Sequence, residues 1–217
     1  MRSERWGIQM HDIFNASTWL LDRNVDDGRG DHPAVRCRGA TTSYADLLEL
    51  TERVATGLRT RGVRPEERVA MVMLDSVDFV ATFLGAMRIG AVPVLTNPLL
   101  PGRDLAVIIA DSRARRLVIS GDRVGALDDL RAGCPELDDV IVSGSDDWSA
   151  LVAADDDGEP YDTWRDSPGF WLCTSGTTGR PKLAMHTHGD LPDTCTTYAA
   201  NVLDIGPDDR CFSVGPM

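Results

Sequence analysis

Long apolar runs are missing from this 217-residue chain. None approaches the roughly 18 consecutive apolar residues of a spanning helix, so no membrane segment is expected. Met1-Arg2-Ser3-Glu4-Arg5-Trp6 is not followed by an apolar stretch, so no signal peptide is expected either. Basic charge is in the minority: 22 Lys and Arg against 34 Asp and Glu leave a net charge of −12. That balance disfavours nonspecific nucleic-acid binding and anionic membrane surfaces, and favours solubility. Paired cysteines are absent too. Cys37, Cys134, Cys173, Cys195 and Cys211 are scattered, with no CxxC and no Cys/His cluster. Reduced thiols in a cytoplasmic protein are the simplest account. No histidine–carboxylate arrangement marks a serine as a nucleophile, and no carboxylate pair stands out. No metal site is expected.

What is present is ordinary globular material, 42% hydrophobic and 26% charged. A chain of this length makes one large or two small domains and can bury roughly 70% of its unfolded surface. Ala34 to Cys37 reads as a short strand. Ser43 then caps a helix with Leu47, Leu48, Leu50, Val54 and Leu58 as its apolar set, Asp46 closing a capping box and Gly62 ending it. Arg68 to Leu74 is nearly continuous apolar sequence, as in a strand buried on both faces. Ser76 caps a second helix carrying Phe79, Val80, Phe83, Leu84 and Met87, and Gly90 stops it before a strand over Ala91–Leu95. Further helices are expected over Leu105–Ala110 and Val124–Leu130, with strands at Leu117–Ile119 and Val140–Val142. This alternation predicts an α/β fold, a mainly parallel sheet flanked by helices. Residues 1–143 form that unit, 144–168 an acidic solvated connection with one short helix over Trp148–Ala153, and 169–217 a further segment.

The further segment opens on the most informative run of the chain, Thr174-Ser175-Gly176-Thr177-Thr178-Gly179-Arg180-Pro181-Lys182. It holds four hydroxyls, two glycines and a lysine, between apolar Phe170–Cys173 and Leu183–Met185. Gly176 and Gly179 permit strained backbone and close approach to a ligand. Successive N–H groups in such a turn form an anion-binding concavity. Lys182 adds a point charge suited to phosphate, and Pro181 stiffens its exit. The run has no Gly-Lys-Ser/Thr after a glycine five positions earlier, so it is not a Walker A loop. Thr174, Ser175, Gly176, Thr177, Thr178, Gly179 and Lys182 are the candidate polyphosphate ligands, and Lys182 is the candidate for charge stabilisation during reaction.

Leu172 to Lys182 resembles the signature loop of the adenylate-forming enzymes, which include acyl- and aryl-CoA synthetases, luciferases and peptide-synthetase adenylation domains. Leu183 stands where that family usually has glycine. Ser43-Tyr44-Ala45-Asp46-Leu47, Gly85 to Val94 and Asn97-Pro98-Leu99-Leu100 are similar to pieces shared by many acyl-CoA synthetases. Phe14 to Asn24 and Gly28-Arg29-Gly30-Asp31 resemble benzoate-CoA ligases. The resemblance implies the N-terminal portion of the large domain of such an enzyme. It implies ATP, Mg2+ and CoA with a small carboxylic acid, the acid, ATP and CoA giving acyl-CoA, AMP and pyrophosphate. The aryl branch is favoured, with a fatty-acyl synthetase or a noncatalytic binding fragment as alternatives.

His186-Thr187-His188 follows the loop. Two ligands with no nearby third make a poor metal site, and both histidines are expected to be structural. Arg210 to Met217 reads as the start of another core strand. The resemblance implies a missing C-terminal portion that holds the remaining catalytic groups. The piece alone is then expected to be inactive and to expose apolar surface that promotes self-association.

Overall fold

The computed structural model describes residues 12–154, 158–174 and 181–212. Its helices are α1 (Ala16–Leu20), α2 (Asp22–Asn24), α3 (Tyr44–Thr60), α4 (Val77–Arg88), α5 (Gly102–Ser112), α6 (Leu127–Gly133), α7 (Asp146–Val152) and α8 (Asp190–Thr194). Its strands are β1 (Pro33–Cys37), β2 (Ala40–Ser43), β3 (Arg68–Val72), β4 (Val92–Leu95), β5 (Arg116–Ser120), β6 (Asp139–Ser143), β7 (Pro168–Thr174) and β8 (Lys182–Thr187).

The local signals act where the sequence places them. Ser43 accepts from the Asp46 backbone while Asp46 reaches back to Ser43, completing the capping box of α3. Ser76 accepts from the Phe79 backbone at the start of α4. Gly62 and Gly90, just past α3 and α4, take φ of 82° and 72°, a left-handed conformation that costs other residues more.

Six strands form the main sheet in the order β6-β5-β3-β4-β7-β8. All neighbouring pairs are parallel except β7 and β8. Alternate residues of β3 serve two separate cores. Val69 and Met71 join Leu58, Val54, Met87 and Phe79 beneath α3 and α4. Ala70 and Val72 join Leu105, Ile109, Leu117 and Leu130 beneath α5 and α6. Each fully buried leucine of this kind stabilises the fold by roughly 1.5–3 kcal/mol relative to exposure.

Three expectations need adjustment. Ala34–Cys37 is a strand, but it lies outside the main sheet, in an antiparallel hairpin with β2. The helix expected over Val124–Leu130 is a tight helical turn, Gly121–Ala126, followed by α6. Arg210–Phe212 carries no strand, and residues 213–217 lie outside the described residues.

The acidic connection is solvated only on one side. Asp146, Asp147, Glu159, Asp162 and Asp166 are exposed, while Trp148, Leu151, Gly158 and Thr163 are buried. Ser145 caps α7 by accepting from the Trp148 backbone, which sets Trp148 and Leu151 against α3. The main sheet also crosses the expected boundaries, since β7 pairs with β4.

Candidate functional site

Strands β7 and β8 form an antiparallel hairpin with Thr174 opposite Lys182 and Cys173 opposite Leu183. Because β7 runs parallel to β4, Thr174 lies at the carboxyl end of the parallel strands. That edge is where open α/β sheets bind ligands. Thr174 and Lys182 therefore face each other at the end of a paired stem.

The stem is anchored from below. Phe170 meets Phe83 of α4 edge-on, with ring centroids 5.4 Å apart, and stacks flat on His186 of β8 at 4.7 Å. Leu172 packs against the core under α4. Cys173 is half-buried, and burial pushes its thiol pKa up, which suppresses the reactive thiolate.

Thr174 and Lys182 are both exposed at the mouth of the hairpin. The Thr174 hydroxyl donates to the Lys182 carbonyl over 3.4 Å, a long bond. Lys182, Pro181 and Leu183 form one wall of a cleft of about 850 Å³, with Arg103, Val107 and Asp111 of α5 on another. The structure thus brings Thr174 and Lys182 together. Ser175, Gly176, Thr177, Thr178 and Gly179 lie outside the described residues. Among the described residues, no group of three His, Cys, Asp or Glu is placed to hold a metal ion.

The two histidines hold the stem in place. His186 Nδ1 pairs with Asp190 Oδ2 at 2.8 Å, and the same carboxylate accepts from the Thr187 hydroxyl at 2.7 Å. These bonds, Thr187's first and His186's after it, lower the Asp190 pKa. His188 is fully buried, and its Nδ1 accepts from the Ala16 N–H at 3.0 Å. That bond requires Nδ1 to be unprotonated, which puts the proton of the neutral ring on Nε2. Burial lowers the His188 pKa to about 4.

Asp190 was not singled out by sequence reasoning. Thr187-x-x-Asp190 has the spacing of a helix-entry box, and that signal was available. Asn15 lies in the run Phe14 to Asn24, where nothing local marks its role. Its side-chain amide donates to the carbonyls of Met87, Arg88 and Tyr161 at 3.2, 3.1 and 3.2 Å. It thereby closes the end of α4 and fixes the N-terminal segment beneath the stem.

Comparison with known proteins agrees with this fold. The pattern of the family described as AMP-binding enzyme matches residues 21–217. Benzoate–CoA ligase of Thauera aromatica is 34% identical over 215 residues, 97% of this chain and 41% of that protein. A crystal structure of a benzoate CoA ligase from Burkholderia xenovorans LB400 superposes with a TM-score of 0.78 at 32% identity, covering 89% of this chain and 38% of that one. The inhibitor-bound N-terminal domain of FACL13 from Mycobacterium tuberculosis superposes with a TM-score of 0.83 at 27% identity, covering 94% of this chain and 51% of that domain. The chain thus spans about two-fifths of the length of the curated relative it matches.

Proposed function

Because the chain belongs to the AMP-binding enzyme family, we propose that it is the N-terminal part of an acid–CoA ligase that activates an aryl carboxylic acid of the benzoate type. The acid's carboxylate oxygen attacks the α-phosphorus of ATP, forming acyl-AMP and releasing pyrophosphate. The thiol of CoA then attacks the acyl carbon, forming the thioester and releasing AMP. The observation that carries this reading is the hairpin, which sets Thr174 and Lys182 at the carboxyl edge of the sheet. The similarity to benzoate–CoA ligase, which runs across 97% of the chain, supports the aryl acid.

Adenylyl transfer relies on positioning and charge stabilisation more than on covalent help from the protein. In this reading Lys182 places a positive charge beside the departing pyrophosphate. The Thr174 hydroxyl donates to a phosphate oxygen once its long bond to the Lys182 carbonyl is released. Ser175, Gly176, Thr177, Thr178 and Gly179 supply the remaining hydroxyl and backbone donors. Magnesium would arrive with the phosphates as their counter-ion. The protein works in the cytoplasm, and residues 1–217 alone do not turn over.

The test is pyrophosphate release by the full-length enzyme with ATP, CoA and a panel of benzoate, hydroxybenzoates and medium-chain fatty acids. Benzoate-type acids are expected to give the highest kcat/KM. Lys182→Ala is expected to lower the adenylation rate by about 100-fold or more, the scale for removing one charge-stabilising donor. An unchanged rate would remove Lys182 from the mechanism. A preference for fatty acids would overturn the aryl assignment and leave the adenylation reading in place.

A further inference from the structure

Lysine is almost absent from this chain. Of its 22 basic residues 21 are arginine, and Lys182 is the only side-chain amine in 217 residues. Arginine does the structural pairing: Arg61, Arg88 and Arg116 tie separate elements together through Asp139, Asp22 and Asp138. The one amine stands at the mouth of the β7–β8 hairpin, opposite Thr174. Lys182 is exposed, and among the described residues its Nζ makes no hydrogen bond or ion pair.

Charge alone does not require lysine at this place. A guanidinium is always charged and holds phosphate through two parallel bonds, whereas an ammonium is a point charge on a flexible four-carbon stem. What the amine adds is nucleophilicity: once deprotonated it attacks acyl carbons, which a guanidinium does not do. The proposed reaction makes such a carbon, since acyl-AMP is a mixed anhydride. While ATP is bound, phosphate oxygens occupy the ammonium. Departure of pyrophosphate removes them and leaves the amine near the acyl phosphate. Lys182 also lines the cleft of about 850 Å³, where Ala106, Val107 and Ala110 of α5 form the other wall. An acyl group carried on Nζ therefore has an apolar surface to lie against.

We propose that Lys182 is an acylation site, modified by the acyl-AMP formed beside it whenever CoA is scarce. Neutral Nζ attacks the acyl carbon, and an N–C bond forms. The bond from that carbon to the phosphate oxygen of AMP breaks, AMP leaves with the electron pair, and the amine proton passes to water. The product is an uncharged amide. The modified enzyme thus loses the cation set against pyrophosphate and stops adenylating. When CoA is present its thiol consumes acyl-AMP first, so the site ties activity to the supply of the second substrate. The inference rests on the adenylation reading and not on the identity of the acid.

The experiment incubates the full-length enzyme with ATP and benzoate in the absence of CoA. Peptide mass spectrometry reads benzoylation at every lysine, and ATP–pyrophosphate exchange reads adenylation in the same samples. Lys182 is expected to be benzoylated about 10-fold or more faster than the other lysines of the enzyme, because it is held beside the acyl donor. Exchange activity is expected to fall in proportion to the fraction of Lys182 modified. Both changes are expected to accelerate with rising pH, which frees the amine of its proton, and to disappear when CoA is added. Benzoylation spread evenly over the lysines, or loss of exchange with Lys182 unmodified, would overturn the assignment. Synthetic benzoyl-AMP, added without ATP, separates this inference from the reaction it rests on. Exchange absent from the outset would count against the proposed reaction with benzoate. Selective benzoylation of Lys182 by the synthetic anhydride would then keep the site, and even labelling would remove it.

Discussion

Arg88 and Asp22 meet through a single nitrogen: both carboxylate oxygens of Asp22 lie within hydrogen-bonding distance of Arg88 Nη1, at 3.0 and 2.9 Å. The guanidinium is almost completely buried, and it also donates to Glu52 at 3.1 Å and to the Gly158 carbonyl at 2.5 Å. One side chain at the end of α4 thus joins α2, α3 and the acidic connection.

Replacing Arg88 should therefore cost far more than a surface charge. Arg88→Met removes the ion pairs to Asp22 and Glu52 and the donor to the Gly158 carbonyl. Loss of one partner of a buried ion pair typically costs about 3–5 kcal/mol. The expected result is an unfolding free energy, read from urea titration, lowered by that amount. A loss below about 1 kcal/mol would mean that Arg88 is spectator packing.

His188 predicts the acid limb of stability. Its pKa is lowered from 6.5 to about 4 by burial, so the unfolded chain takes up a proton over an interval in which the folded chain does not. Stability from this group is complete above pH 6.5 and falls as the pH drops toward 4, by about 3 kcal/mol in total. Asp138 and Asp190 have lowered pKa values, so their contributions are lost only below the ordinary carboxylate range. His188→Gln should flatten the pH 4–6.5 limb in urea titrations and leave the more acidic limb unchanged. An identical limb in the variant would contradict this role for His188.

Gly57 is expected to tolerate no methyl group. A Cβ there would lie 2.3 Å from the Leu151 carbonyl oxygen and 2.7 Å from Leu151 Cγ. Gly57→Ala should push α7 off α3 and cost about 1–3 kcal/mol from overpacking, despite the helix propensity that alanine gains. Gly125 has open space around its Cβ position, and Gly125→Ala is the matching control, expected to be neutral or slightly stabilising. Thermal melts of the two variants decide it, and equal midpoints would count against tight α3–α7 packing.

Ser43→Ala removes the side chain that accepts from Asp46 N at the start of α3. A loss of about 1 kcal/mol is expected from the missing cap. Ser43→Thr, which keeps a hydroxyl to accept from Asp46 N and donate to Asp46 Oδ2, should recover most of it. Calorimetry of the pair separates a cap from a general effect of mutation.

The features read correctly in advance are local. A cap and its helix lie within four residues, and a glycine stop marks its own position, so Ser43, Ser76, Gly62 and Gly90 were legible. The β3 to β6 alternation was legible because buried parallel strands have continuous apolar sequence. The features missed join distant positions. Nothing near Cys37 announces that β1 pairs with β2 instead of the main sheet. Arg88 reads as an ordinary charged residue near a helix end until Asp22, Glu52 and Gly158 are placed around it. At the candidate site, the residue types were legible from composition. Their anchoring by Phe170, Phe83 and Asp190 was not, because each contact depends on strand register.

The Asn15 and Arg88 contacts also impose an order on the chain as it is made. Asn15 needs the carbonyl of Tyr161, and Arg88 needs that of Gly158. Both partners emerge long after α1, α3 and α4 have been synthesised. Until then the first helix has no permanent site and the guanidinium at residue 88 keeps its water. Helix α1 is consequently synthesised well before the segment that locks it, and long-range closure of this kind slows folding.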